Sequence, residues 1–440
     1  MKRNIYRQLL EWKQNAARKP LILNGARQVG KTYILRLFAE KEYKKTAFFS
    51  LDRDKKVVDV FEKGGTTADI LMALSAISGV DITPGDTLVV FDEIQSCPKA
   101  LEALKFFCED APDVHIVVAG SLLGLSLHGG VSYPVGKVEE LRLYPMTFTE
   151  FLEAMGKEQL VKVLESGNWS VINMLSQEFI SLLRQYYYVG GMPAAVLAHT
   201  QQKGLQEVRR IQNQIINDYR RDFSKHAPAR EVPRINMVWE SIPSQLAKEN
   251  KKFVYGAVKK SARASDFEMA IQWLQDAGLA YRVERVSKAS MPLKFYEDNN
   301  AFKLFTLDVG LMGAMVGASA ESMLVGDSIF SEYKGAFTEL YVFTQLKAEG
   351  LPLYYHSASN STIEIDFLTQ IHDRVVPIEV KAEVNVKSKS LRTFISNNPT
   401  LHAVRFSMLP YQQQEWMTNI PLYACGRLFF LQVLRQSPAH

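Results

Sequence analysis

Short apolar runs dominate the first 150 positions, and residues at helical spacing fill the gaps between them. LILNG (21–25), AFFSLD (47–52), LVVF (88–91), HIVVAGS (115–121) and VEELRLYPM (138–146) have strand length, whereas YILRLFAE after Thr32 repeats on a helical period. Strands alternating with helices predict an α/β unit on a five-stranded parallel sheet, closing near Phe151. Farther on, residues 253–286 read as helix, polar turn, amphipathic helix and alternating strand, the order of a winged helix-turn-helix, with Ala270, Trp273, Leu274 and Leu279 facing its core. In YYYVGGMPAAV (186–196) two glycines and a proline permit a tight turn between helices, and the three tyrosines suit a buried cluster better than a base-stacking platform. KGAFTELYVFTQLKAE (334–349) is a helix that puts Glu339 on the apolar face of Ala336, Val342 and Phe343, where a carboxylate is costly without a partner. TIEIDFL (362–368) and VVPIEVKA (375–382) then form a β-hairpin turning at His372 and Asp373.

A length of 440 residues exceeds one hydrophobic core and predicts about three domains at roughly 150 residues each. With 47% hydrophobic and 22% charged residues the composition is that of a globular protein. Charges interrupt the first twenty residues, so no secretory signal is expected, and no apolar stretch approaches a membrane span; LFFLQVL (428–434) is short enough for a core strand. A cytoplasmic protein without a membrane partner is the expectation. Cys97, Cys108 and Cys425 have neither disulfide-framework numbers nor metal-ligand spacing and read as core residues. The net charge is only +5, yet residues 203–263 hold fourteen Lys/Arg against six Asp/Glu. Such a block suits phosphate-backbone binding or a solvated helical face.

The chemistry begins at GARQVGKT: Gly25, Ala26, Arg27, Gln28, Val29, Gly30, Lys31 and Thr32, between a strand and a helix. Glycines let backbone N–H groups approach phosphates, and the following helix adds its positive end. Lys31 is expected to reach the β- and γ-phosphates of ATP, and Thr32 to ligate Mg²⁺ through its hydroxyl. LVVF leads into Asp92, which would hold the magnesium water shell, and Glu93, which would polarise the attacking water. Ser121 ends the strand HIVVAGS and is either a γ-phosphate sensor or the start of a turn.

In the predicted hairpin, a two-residue turn puts Asp366 opposite Glu379, with Lys381 on the same face as Glu379. Facing carboxylates repel unless a cation bridges them, so the pair predicts a Mg²⁺ or Mn²⁺ site, with Lys381 positioning or deprotonating a water. Lys387, Lys389 and Arg392 follow on a predicted helix, available to a phosphate backbone.

With both nucleotide motifs in place, and with LRLYPMTFTEFLEA, YYYVGGMPAAV, FKLFTLDVGLM, EIDF and PIEVKA, the chain resembles the prokaryotic ATP-binding proteins of the AAA superfamily that carry a C-terminal nuclease-like domain. The resemblance runs through almost the whole chain. It implies a P-loop NTPase sheet at 1–150, a helical lid or linker at 151–225, a winged helix at 226–300 and a restriction-endonuclease-like α/β domain at 301–440. The last stretch resembles PD-(D/E)xK nucleases: Glu339 matches their first-helix acid, so Glu339, Asp366 and Glu379 would be metal ligands and Lys381 catalytic, although Ile365 replaces the motif's proline. Gly136 and Lys137 stand where a Gly-Arg pair is usual, and lysine lacks the planar fork of an arginine finger; Arg142, Arg220 and Arg221 are weaker candidates. The implied function is ATP binding and hydrolysis coupled to DNA binding, with a metal-dependent nuclease-like domain. The alternative is an ATP-dependent regulatory switch whose C-terminal domain binds DNA or protein without cutting. Oligomerisation stays open.

Overall fold

The computed structural model describes residues 1–121, 133–248, 251–325, 334–358, 363–382 and 388–426. The run LFFLQVL and Lys387 lie outside the described residues. The chain divides into two compact units, one of residues 1–144 with 276–279, the other of residues 145–275 and 280–440.

The first unit is a parallel sheet of β1 (Leu21–Asn24), β2 (Lys45–Ser50), β3 (Thr87–Asp92), β4 (His115–Gly120) and β5 (Glu139–Arg142). Its order is β2-β3-β4-β1-β5, and every pairing is parallel. All six positions of β3 and of β4 are buried, as central strands of a sheet covered on both faces must be. Helices α1 (Ile5–Gln14), α2 (Lys31–Glu42), α3 (Lys55–Lys63), α4 (Thr67–Ser78) and α5 (Pro98–Asp110) belong to the same unit. On one face Phe49 stacks on Phe91 at 5.7 Å and Phe61 meets Phe91 edge-on at 5.5 Å, within a core that includes Leu101 and Phe107. The carboxyl ends of β1, β3 and β4 lie side by side, so the loops leaving them are neighbours. Cys97 and Cys425 are buried, and all three cysteines are free.

The second unit opens with helices, among them α6 (Phe148–Ala154), α7 (Ser176–Val189), α8 (Leu205–His226), α9 (Val232–Leu246) and α10 (Ala264–Asp276). Tyr186, Tyr187 and Tyr188 are buried, the Tyr186 hydroxyl donates to Met146 O at 2.6 Å, and the Tyr187 ring lies 5.2 Å from Tyr341. Their role is packing. After α7 the chain turns at Gly190, whose φ is 71°, and a Cβ on Gly191 would lie 2.1 Å from Met146 O. Asp308 locks this junction: its carboxylate accepts from Gly191 N at 2.6 Å and from Leu311 N at 2.9 Å, capping the helix Val309–Met315.

An eight-stranded mixed sheet completes the unit: β6 (Ala280–Val286), β7 (Glu297–Thr306), β8 (Leu353–Ser357), β9 (Glu364–Ile371), β10 (Arg374–Val380), β11 (Ala403–Ser407), β12 (Gln412–Gln413) and β13 (Met417–Pro421), in the order β12-β13-β11-β10-β9-β8-β6-β7. Residues 253–286 follow the expected order of short helix, turn, helix and strand, and Ala270, Trp273, Leu274 and Leu279 are buried. The strand β6, however, pairs with β7 and adds to the C-terminal sheet, and β7 runs across position 300. Strand pairing therefore joins the stretches expected to part there. Helices α11 (Lys334–Ala348) and α12 (Lys389–Ser396) complete the elements used below. Among the described residues no helix is long and apolar enough to cross a membrane.

Candidate functional sites

The loop between β1 and α2 is shaped by three left-handed or open residues: Gly25 at φ 153°, Gln28 at 66° and Gly30 at 98°. A side chain on Gly25 would drive its Cβ to 2.4 Å from Leu143 O, because Leu143 N donates to Asn24 O at 2.8 Å and extends β5 alongside the loop. Gln28 holds a left-handed backbone without being glycine, a strain of roughly 1–3 kcal/mol that fits a loop shaped for a ligand. Ala26 and Val29 are buried, and Val29 O accepts from Arg3 Nη1 at 2.8 Å, which braces the loop from beneath. Lys31 is only 7% exposed, and its ammonium donates to Gly25 O at 2.8 Å and Ala26 O at 2.9 Å. Burial pulls its pKa down to about 8, against the pull of Glu93 and Asp92.

The motifs of β1 and β3 meet at this loop. Thr32 Oγ1 donates to Asp92 Oδ2 at 2.8 Å, while Asp92 Oδ1 accepts from Glu93 N at 3.1 Å. A hydroxyl and a carboxylate side by side are hard oxygen donors of the kind Mg²⁺ takes, so this pair fits the ion. Burial raises the pKa of Asp92, with the Thr32 hydrogen bond opposing it. Glu93 follows with φ 55°, a second strained residue, and its Oε2 accepts from Ser121 Oγ at 3.4 Å and from the Gln95 amide. Arg27 Nε reaches Ser121 Oγ at 3.3 Å, so Arg27, Ser121 and Glu93 form one chain of contacts beside the β1–α2 loop. Gln95 was not foreseen in the sequence. Its nearness to Glu93 in DEIQ was the signal available.

In the second unit the hairpin turns at His372 (φ 53°) and Asp373, with Ile378 opposite Phe367. Continuing that register by one residue sets Glu379 across from Asp366, and Asp366 Oδ2 accepts from Val380 N at 2.8 Å. Glu339, 1% exposed on α11, also joins this group. Two lysines absent from the sequence reading enter the same place. Lys303, fully buried on β7, bonds Glu339 Oε1 at 3.0 Å and Glu364 Oε1 at 2.9 Å. Lys251 bonds Glu339 Oε2 and lies 3.9 Å from Asp366 Oδ1. Lys381 sits 3.3 Å from Glu379 Oε1, whose Oε2 accepts from Ser388. Burial pushes the Asp366 pKa up, but Lys251 and Lys303 outweigh it and hold the carboxyl below its ordinary range. For Lys303, burial pulls downward and the carboxylates of Glu339 and Glu364 overcome it, raising the ammonium's pKa. Because both oxygens of Glu339 are engaged by ammonium groups, the carboxylates as arranged do not fit a divalent cation; among the described residues no trio of His, Cys, Asp or Glu does. The signal for Lys303 was a lysine inside AFKLFT, an otherwise apolar strand.

Much of the basic block is committed to neighbours: Arg210 to Glu207, Arg220 to Glu240, Arg221 to Asp218, Arg230 and Arg234 to Glu231. Arg209 donates to Gly310 O and Ala318 O at 3.3 and 2.9 Å. Lys259, Lys260 and Arg263 stand exposed on the turn before α10. Lys137 pairs with Glu109 at 2.9 Å. Lys389 opens α12, and Arg392 follows one turn later.

No curated protein matches the chain. Solved structures similar to it include the Walker-type ATPase PABY2304 of Pyrococcus abyssi, 14% identical over 71% of this chain and 94% of that one, with a TM-score of 0.44. The Holliday junction branch migration motor RuvB of Thermotoga maritima is 14% identical over 64% of this chain and 90% of its own, at 0.30. Protein VC1899 from Vibrio cholerae is 11% identical over 96% and 98%, at 0.19. Family models match three segments: domains of unknown function at 180–322 (DUF8612) and 334–425 (DUF4143), and an AAA domain at 17–152. Residues 17–152, with the glycine loop at one end of a parallel sheet and the Thr32–Asp92 pair beside it, thus match an AAA domain and have an AAA-type P-loop ATPase fold.

Proposed function

We propose that the chain binds and hydrolyses ATP in its first unit and binds DNA through its second, acting as an ATP-dependent switch. The observation that carries the first half is the hydrogen bond between Thr32 and Asp92 beside the buried ammonium of Lys31. In this reading the backbone of residues 25–30 and Lys31 hold the phosphates, and Thr32 and Asp92 hold Mg²⁺, which supplies charge neutralisation at the γ-phosphate. Glu93 orients and deprotonates the attacking water, with Ser121 and Gln95 fixing its carboxylate. Exposed Lys259, Lys260 and Arg263 support the DNA half, since phosphate contact needs clustered cations not already paired.

Cleavage by the C-terminal domain was the sharper expectation, with Lys381 as its catalytic residue. The lysines that engage Glu339 and Asp366 favour the other reading, in which that domain binds without cutting. The test is ATP turnover and DNA binding by wild type, Glu93→Gln and Lys259→Ala/Lys260→Ala/Arg263→Ala, plus incubation of labelled DNA with Mg²⁺ or Mn²⁺. Glu93→Gln should keep ATP binding and lose about 100-fold or more in turnover. The triple variant should lose DNA binding and flatten its salt dependence by up to about three charges. Normal turnover by Glu93→Gln, or unchanged DNA binding by the triple variant, refutes the corresponding half. Cutting that disappears in Lys381→Ala would restore the nuclease.

A further inference from the structure

The acidic cluster of the second unit has more cations around it than a metal site leaves room for. Glu339, Glu364, Asp366 and Glu379 are its carboxylates. Lys251 and Lys303 engage the first three, Lys381 pairs with Glu379, and Arg405 lies beside Glu379 across the β10–β11 ladder. Four negative charges meet four positive ones. A divalent ion added to this set would bring an excess charge into a place where Lys303 is fully buried and Glu339 is 1% exposed.

The cations also come from separated parts of the chain. Lys303 lies within β7, and its ammonium sits over the Tyr355 ring, 4.9 Å from the ring centre. Lys251 lies two residues before Phe253, which is itself tied to the sheet: Phe253 N donates to Phe302 O at 2.8 Å, and the two rings stack at 5.2 Å. The Lys251 pairing is thus the end of a seam that fastens the segment after α9 onto β7 and α11.

We propose that Lys251 and Lys303 are built-in counter-cations, which make this carboxylate cluster an ionic latch holding the segment 251–254 to the C-terminal sheet in place of a divalent-metal site. The latch concerns the non-cleaving reading of the C-terminal domain and is independent of ATP hydrolysis.

Two measurements on the full chain test it. The first titrates nucleotide-free wild type and Asp366→Asn with MnCl₂, following bound Mn²⁺ by electron paramagnetic resonance. The expected result is no Mn²⁺ whose binding depends on Asp366. A stoichiometric Mn²⁺ bound by wild type and lost in Asp366→Asn overturns the latch, even if no DNA is cut, so its failure is separable from that of the non-cleaving reading. The second compares thermal midpoints. In a metal site standing empty, Glu339→Gln relieves repulsion between acids and raises Tm; in a latch it leaves buried Lys303 with Glu364 alone, releases Lys251 from Glu339, and lowers Tm, by roughly 5 °C or more. Lys303→Met added to Glu339→Gln removes the under-paired buried ammonium, leaving Glu364 partly exposed to water, and should recover part of the loss. A Tm raised by Glu339→Gln, or a double variant no better than Glu339→Gln, overturns the proposal. Lys251→Met, on the partly exposed partner, should lower Tm less than Glu339→Gln and increase proteolytic cutting near residue 251; unchanged cutting there counts against the latch.

Discussion

At the scale of single residues, Lys31 carries the most direct consequence. Its ammonium rests on two backbone carbonyls, and burial lowers its pKa to about 8. The nucleotide-free molecule therefore gives up that proton at a lower pH than an ordinary lysine does. Phosphates arriving beside Lys31 favour the charged form, so ATP binding should take up protons, increasingly as pH rises from 7 to 9. Calorimetry of ATP binding in buffers of different ionisation enthalpy measures this uptake, and Lys31→Ala should remove it. The neighbouring strain at Gln28 and Glu93 belongs to the same logic: left-handed non-glycine residues flank the place where Lys31, Thr32 and Asp92 converge.

At the scale of elements, the junction after α7 shows how a buried acid sets a pH dependence. Burial raises Asp308 to about 6 from the ordinary 3.8, opposed by the N–H groups of Gly191, Leu311 and Gly310. An acid with a raised folded pKa stabilises relatively more at low pH, and that advantage is lost as pH climbs from about 4 through 6, a change of about 3 kcal/mol. Asp308→Asn keeps a carbonyl acceptor without the charge, so the stability difference between wild type and variant should move against wild type over that window in urea unfolding. Asp308→Ala leaves the hydrogen-bonded N–H groups of Gly191 and Leu311 unmet and should cost about 2–5 kcal/mol. The elements around the sites were largely legible: the apolar runs of β1, β3 and β4, the glycine loop and the two-residue hairpin turn are local patterns. Even the costly burial of Glu339 could be read from helical spacing. Its partners could not, since Lys303 is 36 residues away and Lys251 is 88, and pairing over that span is decided by packing.

At the scale of the whole molecule, two units with separate cores should respond differently to ligand. Nucleotide binding stabilises only the unit that binds it, by about 2.7 kcal/mol at a hundredfold excess over Kd. Scanning calorimetry with a non-hydrolysable Mg²⁺–ATP analogue should then raise one of two transitions and leave the other in place; equal shifts in both would mean that they unfold as one. The hairpin β6–β7 has a consequence for how such a protein can be taken apart. It lies on the flank of β8, and β7 crosses the position where the sequence places the start of a nuclease-like domain. A fragment starting at residue 301 would bisect β7, discard β6 and bare the backbone edge of β8, inviting intermolecular strand addition. Such a fragment should collect in inclusion bodies, while one beginning at residue 145, where the second unit starts, should stay monodisperse. In gene fusions and recombination, then, the swappable cassette begins upstream of the hairpin.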